Sequence, residues 1–270
     1  MWVSMNEMAD LAKPGDYSIG VFHATNLEQV QGILEAGVEE RAPVIIALNE
    51  PGAMYAGLGP FLAMTRELVE EVPVPVSVLL DHVHDLDLIF PALEKGYTGV
   101  LADPREMKKD DAVDMLLKIK EICEDKGVFF EVELFDLSLA EADKMEYITR
   151  IASEIKLDSI CLSAGREERE KPGDGLFDLA QKLVESTGLL VSMAGVSRWQ
   201  FADIRRAVES GAWKISVGTR INKAFTAGLK SYLDSNPDRI HPGSYLGFAR
   251  DEFRTEVSMC IRDFGVSGMG

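Results

Sequence analysis

The apolar run Val76-Ser77-Val78-Leu79-Leu80 stops on Asp81-His82-Val83-His84. A carboxylate beside imidazoles can move protons near neutral pH or hold a metal ion. A strand that is apolar along its whole length is buried on both faces, as in a parallel sheet. Its polar end is where a ligand site belongs, because α/β barrels keep their chemistry at the C-terminal ends of the strands. Two of the four histidines lie on this one strand end. The plain alternative is a strand exit with solvated polar residues.

Other β-type runs end in similar residues. One ends at Asp103, and the next contains Glu131-Val132-Glu133. Glu131 and Glu133 alternate with Val132, so both face the same side of their strand, either the barrel lumen or the helix layer. Buried there, each carboxylate needs a cation or hydrogen-bond donors. Acids from three successive strands near one histidine suit a metal site or proton transfer. The segment Pro51–Gly57 reads as a flexible loop able to bring backbone N–H groups to a ligand. The run Gly165-Arg166-Glu167-Glu168-Arg169 and the end Gly218-Thr219-Arg220 add three guanidinium groups that could clamp an anion. A solvated charge cluster is the alternative for the first of these.

The elements that must position these residues recur every 25–35 residues. β-type runs occupy Tyr17–Phe22, Pro43–Leu48, Val76–His82, Gly99–Asp103, Val128–Phe135, Ser159–Ser163, Leu189–Met193 and Trp213–Gly218. Amphipathic stretches lie between them, such as Leu27, Val30, Ile33, Leu34 and Val38, or Ala112, Met115, Leu116, Ile119 and Ile122. Strand–helix alternation at this period means right-handed βαβ units and a parallel sheet. Eight units without a GxGxxG after the first strand predict a closed (β/α)8 TIM barrel, an α/β fold. No linker divides residues 1–270, so the reading is one domain, with an extra C-terminal helix from Pro242 that ends near Gly265.

Composition narrows the partners. A net charge of −17 argues against nucleic acid, which needs clustered Lys and Arg, and against an anionic membrane surface. No apolar run approaches the ~18 residues of a membrane span, and no signal pattern opens the chain. Cys123, Cys161 and Cys260 are too few and too far apart for a disulfide framework or a Cys-based zinc site, which suits a cytoplasmic protein.

With these segments in hand, the sequence resembles the class II ketose-bisphosphate aldolases, the fructose- and tagatose-bisphosphate enzymes. The likeness runs in order through Tyr17–Phe22 with Asn26-Leu27-Glu28, Ala42–Ile46, Leu80-Asp81-His82, Val100–Asp103, Glu131–Leu134, Lys214–Thr219 and Ile261–Gly268. The resemblance implies a barrel in which Zn²⁺ on three histidines polarises a ketose carbonyl and an aspartate moves the proton. It makes Asp81 the proton-transfer group and His82 a zinc ligand; Glu133, on the next acidic strand, is a second candidate catalytic residue from the pattern of the residues themselves. Candidate contacts to a substrate anion are Asn26, Gly165, Ser197, Ser216 and Thr219, with Arg166, Arg169 and Arg220 where the sequence departs from the family's phosphate pattern; the resemblance adds Arg254, which sits where some members send an arginine towards the substrate phosphate, and a dimer or tetramer of like chains.

The sequence departs from that pattern at the metal. Glu168 stands where the second family histidine belongs, and Met193 or Ala194 where the third does. Neither Met nor Ala replaces a neutral imidazole on Zn²⁺. The family's acid-bearing loop after strand five is replaced by Asp136-Leu137-Ser138-Leu139-Ala140. The remaining metal set would be His82, Glu168 and Asp103, with Glu133 or His84 in reserve. Such a carboxylate-rich set favours Mg²⁺ or Mn²⁺ over Zn²⁺. The expected function is an aldolase-type carbon–carbon lyase acting on a small anionic, phosphorylated ketose or related carbonyl compound, with a remodelled or absent metal site. The alternative is a silent paralogue that binds a sugar phosphate or a protein. Lys214 begins the eighth strand at the wrong end for a Schiff base, so a structural role is expected for it.

Overall fold

The computed structural model describes residues 1–13, 15–105, 107, 109–134, 141–163, 172 and 175–270, with backbone alone at 109, 110, 141–144, 146 and 147. Eight strands form one closed parallel barrel in chain order: β1 (Ile19–His23), β2 (Val44–Asn49), β3 (Val76–Val83), β4 (Gly99–Ala102), β5 (Phe129–Leu134), β6 (Ser159–Ser163), β7 (Leu190–Ala194) and β8 (Ala212–Val217). Each lies within two residues of the run that predicts it, because a strand covered on both faces must be apolar nearly throughout. β8 closes on β1, with Ile19 opposite Lys214 and Phe22 opposite Val217.

Helices cover the outside. They are α1 (Met5–Asp10), α2 (Leu27–Glu40), α3 (Glu50–Ala56), α4 (Leu58–Glu70), α5 (Leu86–Lys95), α6 (Lys109–Lys126), α7 (Glu141–Ile155), α8 (Leu176–Thr187), α9 (Phe201–Glu209), α10 (Thr219–Ser235) and α11 (Pro242–Asp263). α2 starts on an Asn26 cap whose side chain accepts from Gln29 N–H, and its Ile33 and Leu34 are buried. α1 closes the floor of the barrel: Met5 and Met8 are wholly buried, and Val3 and Val76 exchange backbone hydrogen bonds with their neighbours across the gap.

One expectation about local structure needs correction. Pro51–Gly57 is mostly the short helix α3, capped by Asn49 with proline in its first turn, so its backbone N–H groups are largely committed. The extra C-terminal helix expected from Pro242 is present as α11. α11 packs against α2, β1 and α9 and so completes the helix ring, while α10 lies mainly against α11.

Candidate active site

Four strand ends converge on one buried cluster. His23 is the last residue of β1, Asp81 and His82 lie near the end of β3, Glu133 lies near the end of β5, and Asp103 follows β4. Asp81 and Glu133 are wholly buried. Asp81 Oδ2 stands 2.5 Å from His23 Nε2 and 2.9 Å from His82 Nδ1. On its other side, His82 Nε2 is 2.6 Å from Glu133 Oε2. Arg105, on the β4–α6 connection, reaches Glu133 Oε1 at 2.7 Å and forks onto both oxygens of Asp103 at 2.6 and 2.5 Å.

Adjacent residues of a flat strand face opposite ways, yet Asp81 and His82 both face the mouth. The register between β3 and β4 shifts between Leu80 and Val83. His82 takes φ of +53°, in the left-handed region. A bulge of this kind re-aims one side chain at the cost of backbone strain, a pattern concentrated at functional sites.

The electrostatics follow from burial and neighbours. Burial alone would raise the Asp81 carboxyl, but the His82 charge and the hydrogen bond from His23 hold it well below the usual carboxylate range. Burial would lower His82, but Asp81 and then Glu133 hold it well above its ordinary value. Asp103 is also pushed up by burial and brought below its usual value by the Arg105 fork.

The lumen beneath the cluster contains a second charged group. Lys214 Nζ is 2.6 Å from Glu131 Oε2, both wholly buried. Glu131 Oε1 accepts from Ser159 (2.8 Å) and Ser192 (2.5 Å), and Trp213 Nε1 donates to Ser159 Oγ at 3.0 Å. Both glutamates of β5 therefore face the lumen, and Lys214 sits below the mouth.

The other site residues expected from the sequence fall elsewhere. Asn26 spends its oxygen capping α2. Ser197 and Arg220 line one cavity of about 860 Å³ beside the β7–α9 loop, and none of the mouth cluster lines it. Arg220, read as part of an anion clamp near the end of the eighth strand, here pairs with Glu256 and Asp263 of α11. Arg254 is likewise on the outer helix ring, 3.9 Å from Glu35. Thr219 is exposed at the start of α10, and Ser216 is buried with an unpartnered hydroxyl. His84 pairs with Glu50 at the rim, outside the cluster. Asp103, read as a metal ligand, here anchors Arg105, whose guanidinium reaches both of its oxygens. Gly165, Arg166, Glu168 and Arg169 lie outside the described residues.

His23 and Arg105 were missed by sequence reasoning. His23 carried a signal, since it ends the apolar run of β1 much as Asp81-His82 ends that of β3. Arg105 carried none, because a loop arginine three residues past a strand does not announce its partners.

A match to the class II fructose-bisphosphate aldolase family model spans residues 3–269. The protein belongs to that family. It is 31% identical to the probable fructose-bisphosphate aldolase of Bacillus subtilis over 98% of both chains. It is 28% identical to the sulfofructosephosphate aldolase of Alkalicoccus urumqiensis over 98% of this chain and 96% of that one. In fold it matches the crystal structure of the YdjI aldolase of Escherichia coli K12, with TM-score 0.85 and 20% identity over 99% of both chains. The protein is thus an aldolase-type carbon–carbon lyase of carbohydrate metabolism, and the silent-paralogue alternative is not favoured.

The family is typically metal-dependent, so the residues can be tested for fit. Asp81 Oδ1, His82 Nδ1 and both Glu133 oxygens are buried without a hydrogen-bond partner. Their short contacts to neighbours are off the angle of a hydrogen bond. Unsatisfied polar atoms gathered this way call for an ion or water. Ligand atoms of His23, Asp81 and His82 lie within 4.8 Å of one another. The donor set fits a divalent cation.

Proposed function

We propose that this mouth cleaves a phosphorylated ketose by retro-aldol chemistry, with Asp81 as the proton carrier. In that reaction a base takes the proton of the hydroxyl on the carbon that becomes the aldehyde. The carbon–carbon bond then breaks, and its electron pair passes into an enediolate on the other fragment, which is protonated on release. A divalent ion bound at the cluster would supply Lewis acidity at the ketose carbonyl oxygen.

The observation that carries this reading is the state of Asp81. It is wholly buried, and its Oδ2 is fixed by two imidazoles while Oδ1 has no hydrogen-bond partner. Oδ1 is then the atom left to take a proton, and the carboxylate is ionised throughout the neutral range. Glu133, gripped by Arg105, holds His82 from behind and keeps the ring aimed at Asp81. A phosphorylated ketose is the substrate class named for the relatives, and small anionic carbonyl compounds are the panel to try. Its binder on this chain is unassigned among the described residues, since Arg220 and Arg254 face α11 and α2. A cytoplasmic homo-oligomer also belongs to this proposal, supported by three buried free cysteines and by the family resemblance. Among the described residues no helix is long and apolar enough to cross a membrane.

The test is retro-aldol turnover on a panel of phosphorylated and carboxylated ketoses, in wild type and Asp81→Asn. General acid–base groups contribute about 10²–10⁴ in rate. Asp81→Asn should lose that factor with its circular dichroism unchanged. Equal turnover in the two proteins would remove Asp81 from the mechanism, and no turnover by wild type on any ketose would reopen the silent-paralogue reading.

A further inference from the structure

We propose that Glu50 is a positioning residue of the aldolase reaction: it holds the backbone that follows His82 and so keeps that imidazole aimed between Asp81 and Glu133. The inference rests on the aldolase reading for its purpose and on the contacts of Glu50 for its content.

Among the described residues other than glycine, positive φ occurs at Arg41, His82 and Lys156. Arg41 and Lys156 follow the ends of α2 and α7, where a left-handed residue commonly closes a helix. His82 lies inside β3, where that conformation is unfavourable. Backbone of this kind persists only where its surroundings over-determine it. On the near side the β3 ladder does so, with Asn49 opposite Asp81 and Leu80 opposite Val100. On the far side the ladder leaves off at Val83, whose carbonyl accepts from Asp103 N–H at 2.8 Å. The next two residues belong to no strand or helix. Glu50 Oε1 takes their N–H groups, His84 at 2.7 Å and Asp85 at 3.1 Å. Among the described residues no other side chain bonds the backbone between His82 and the Asp85 cap of α5.

Glu50 can anchor that turn because its own backbone is fixed. It follows Asn49, the last residue of β2, and opens α3. Asn49 caps this helix on Gly52 N–H, and Pro51 sets the next φ. Gly52 lets the chain close against its neighbours: a Cβ would stand 2.8 Å from Leu48 Cδ1 and 2.9 Å from Thr25 Cγ2. The chain thus passes from β2 into α3 beside Asp81, with the carboxylate in reach of the adjoining β3–α5 turn. The His84 ring lies 3.2 Å from the same oxygen but is more than half exposed, so the two N–H contacts carry the hold.

Glu133 fixes the ring of His82 at Nε2, and Glu50 fixes the chain from which the ring hangs. Released on its far side, His82 would relax to negative φ, and its side chain would swing towards the opposite face of β3, as strand alternation dictates. The ring would then lose its place 2.9 Å from Asp81 Oδ2 and leave the proton carrier held by His23.

The experiment uses the full chain. Crystal structures of wild type and Glu50→Ala read the hold itself: in the variant, His82 should leave positive φ and its Nε2 should part from Glu133. Turnover on the ketose panel reads the purpose. Glu50→Ala should lower kcat by about 100-fold, the cost of a misplacement of about 1 Å, with KM unchanged. Glu50→Gln should restore most of that loss, because its amide oxygen still accepts both N–H groups. His84→Ala keeps its backbone N–H and should turn over as wild type does. If Glu50→Ala does not fold, Glu50→Ser, too short to reach either N–H, should show the same loss. The proposal is overturned by an unmoved His82 in the variant, by wild-type kcat in Glu50→Ala, or by an equal loss in Glu50→Gln or His84→Ala. A displaced His82 in a protein whose wild type cleaves no ketose would end the aldolase reading and leave the hold of Glu50 standing.

Discussion

The lumen holds two buried charged groups, one above the other, and they are built on opposite terms. Below, Lys214 and Glu131 balance in charge on ordinary strand backbone: one cation, one anion, and donors from Ser159 and Ser192 on Oε1, with the ammonium alone at Oε2. Burial works against the Lys214 charge, but Glu131 more than offsets it and holds the ammonium above its ordinary value. Above, His23, Asp81, His82 and Glu133 crowd together with four buried atoms unpartnered and one residue in left-handed backbone. A charge-balanced buried pair fixes a core, whereas a cluster held in strained backbone with several unpartnered atoms marks a place kept ready for something else. The lower group is expected to govern stability and the upper one turnover.

The largest break in this contrast should come from Lys214→Met. It leaves Glu131 charged, buried and without its cation, which costs about 3–5 kcal/mol. Denaturant unfolding reads that loss directly. Adding Glu131→Gln should restore much of it, because the amide oxygen still accepts from both serines with no charge left over. A Lys214 variant as stable as wild type would mean that the lower pair is not a structural unit.

In the upper group, Arg105→Met should lower turnover by about 10–100-fold, the usual effect of removing a group that orients an active residue. The route is through Glu133, so kcat should fall and KM should hold. A raised KM at unchanged kcat would instead make Arg105 a substrate contact.

A smaller effect separates the groups by pH, in protein stripped of metal. Asp81 is depressed in the fold, so its contribution is present above its unfolded value of about 3.9 and is lost as pH falls through the folded value. His82 is raised, so its contribution is complete below its unfolded value of about 6.5 and is lost as pH rises through the folded value. Both act together between those unfolded values. Melting temperature against pH should therefore lose part of its plateau between roughly pH 4 and 6.5 when His82 is changed to Asn. Identical profiles would show that the pair does not contribute to stability.

The smallest prediction concerns the thiols. Burial pushes Cys123 and Cys260 up to about 12, and Cys161 is wholly buried beneath the mouth. Native protein should thus react with an aromatic disulfide reagent far more slowly at pH 8 than denatured protein does. Fast labelling of one equivalent would reveal opening of the barrel wall.

The sequence by itself determined the barrel. Strands buried on both faces must be written as apolar runs, and such runs can be located without a partner in view, which is why β6 is found residue for residue and the others within two. The same logic finds Asp81, His82 and Glu133, because a polar residue at the end of an apolar strand has few places to go. Only the tertiary structure decided who meets whom. Barrel closure sets His23 of β1 beside Asp81 of β3, and no local pattern encodes a contact 58 residues apart. It turns Arg220 and Arg254 to acids on α11 and α2 instead of to the mouth, since a long side chain pairs with whichever carboxylate the helix packing brings near. And it places Asp81 and His82 on one face against the two-residue rhythm of a strand, because the register shift and the positive φ that do so arise from how β3 pairs with β4.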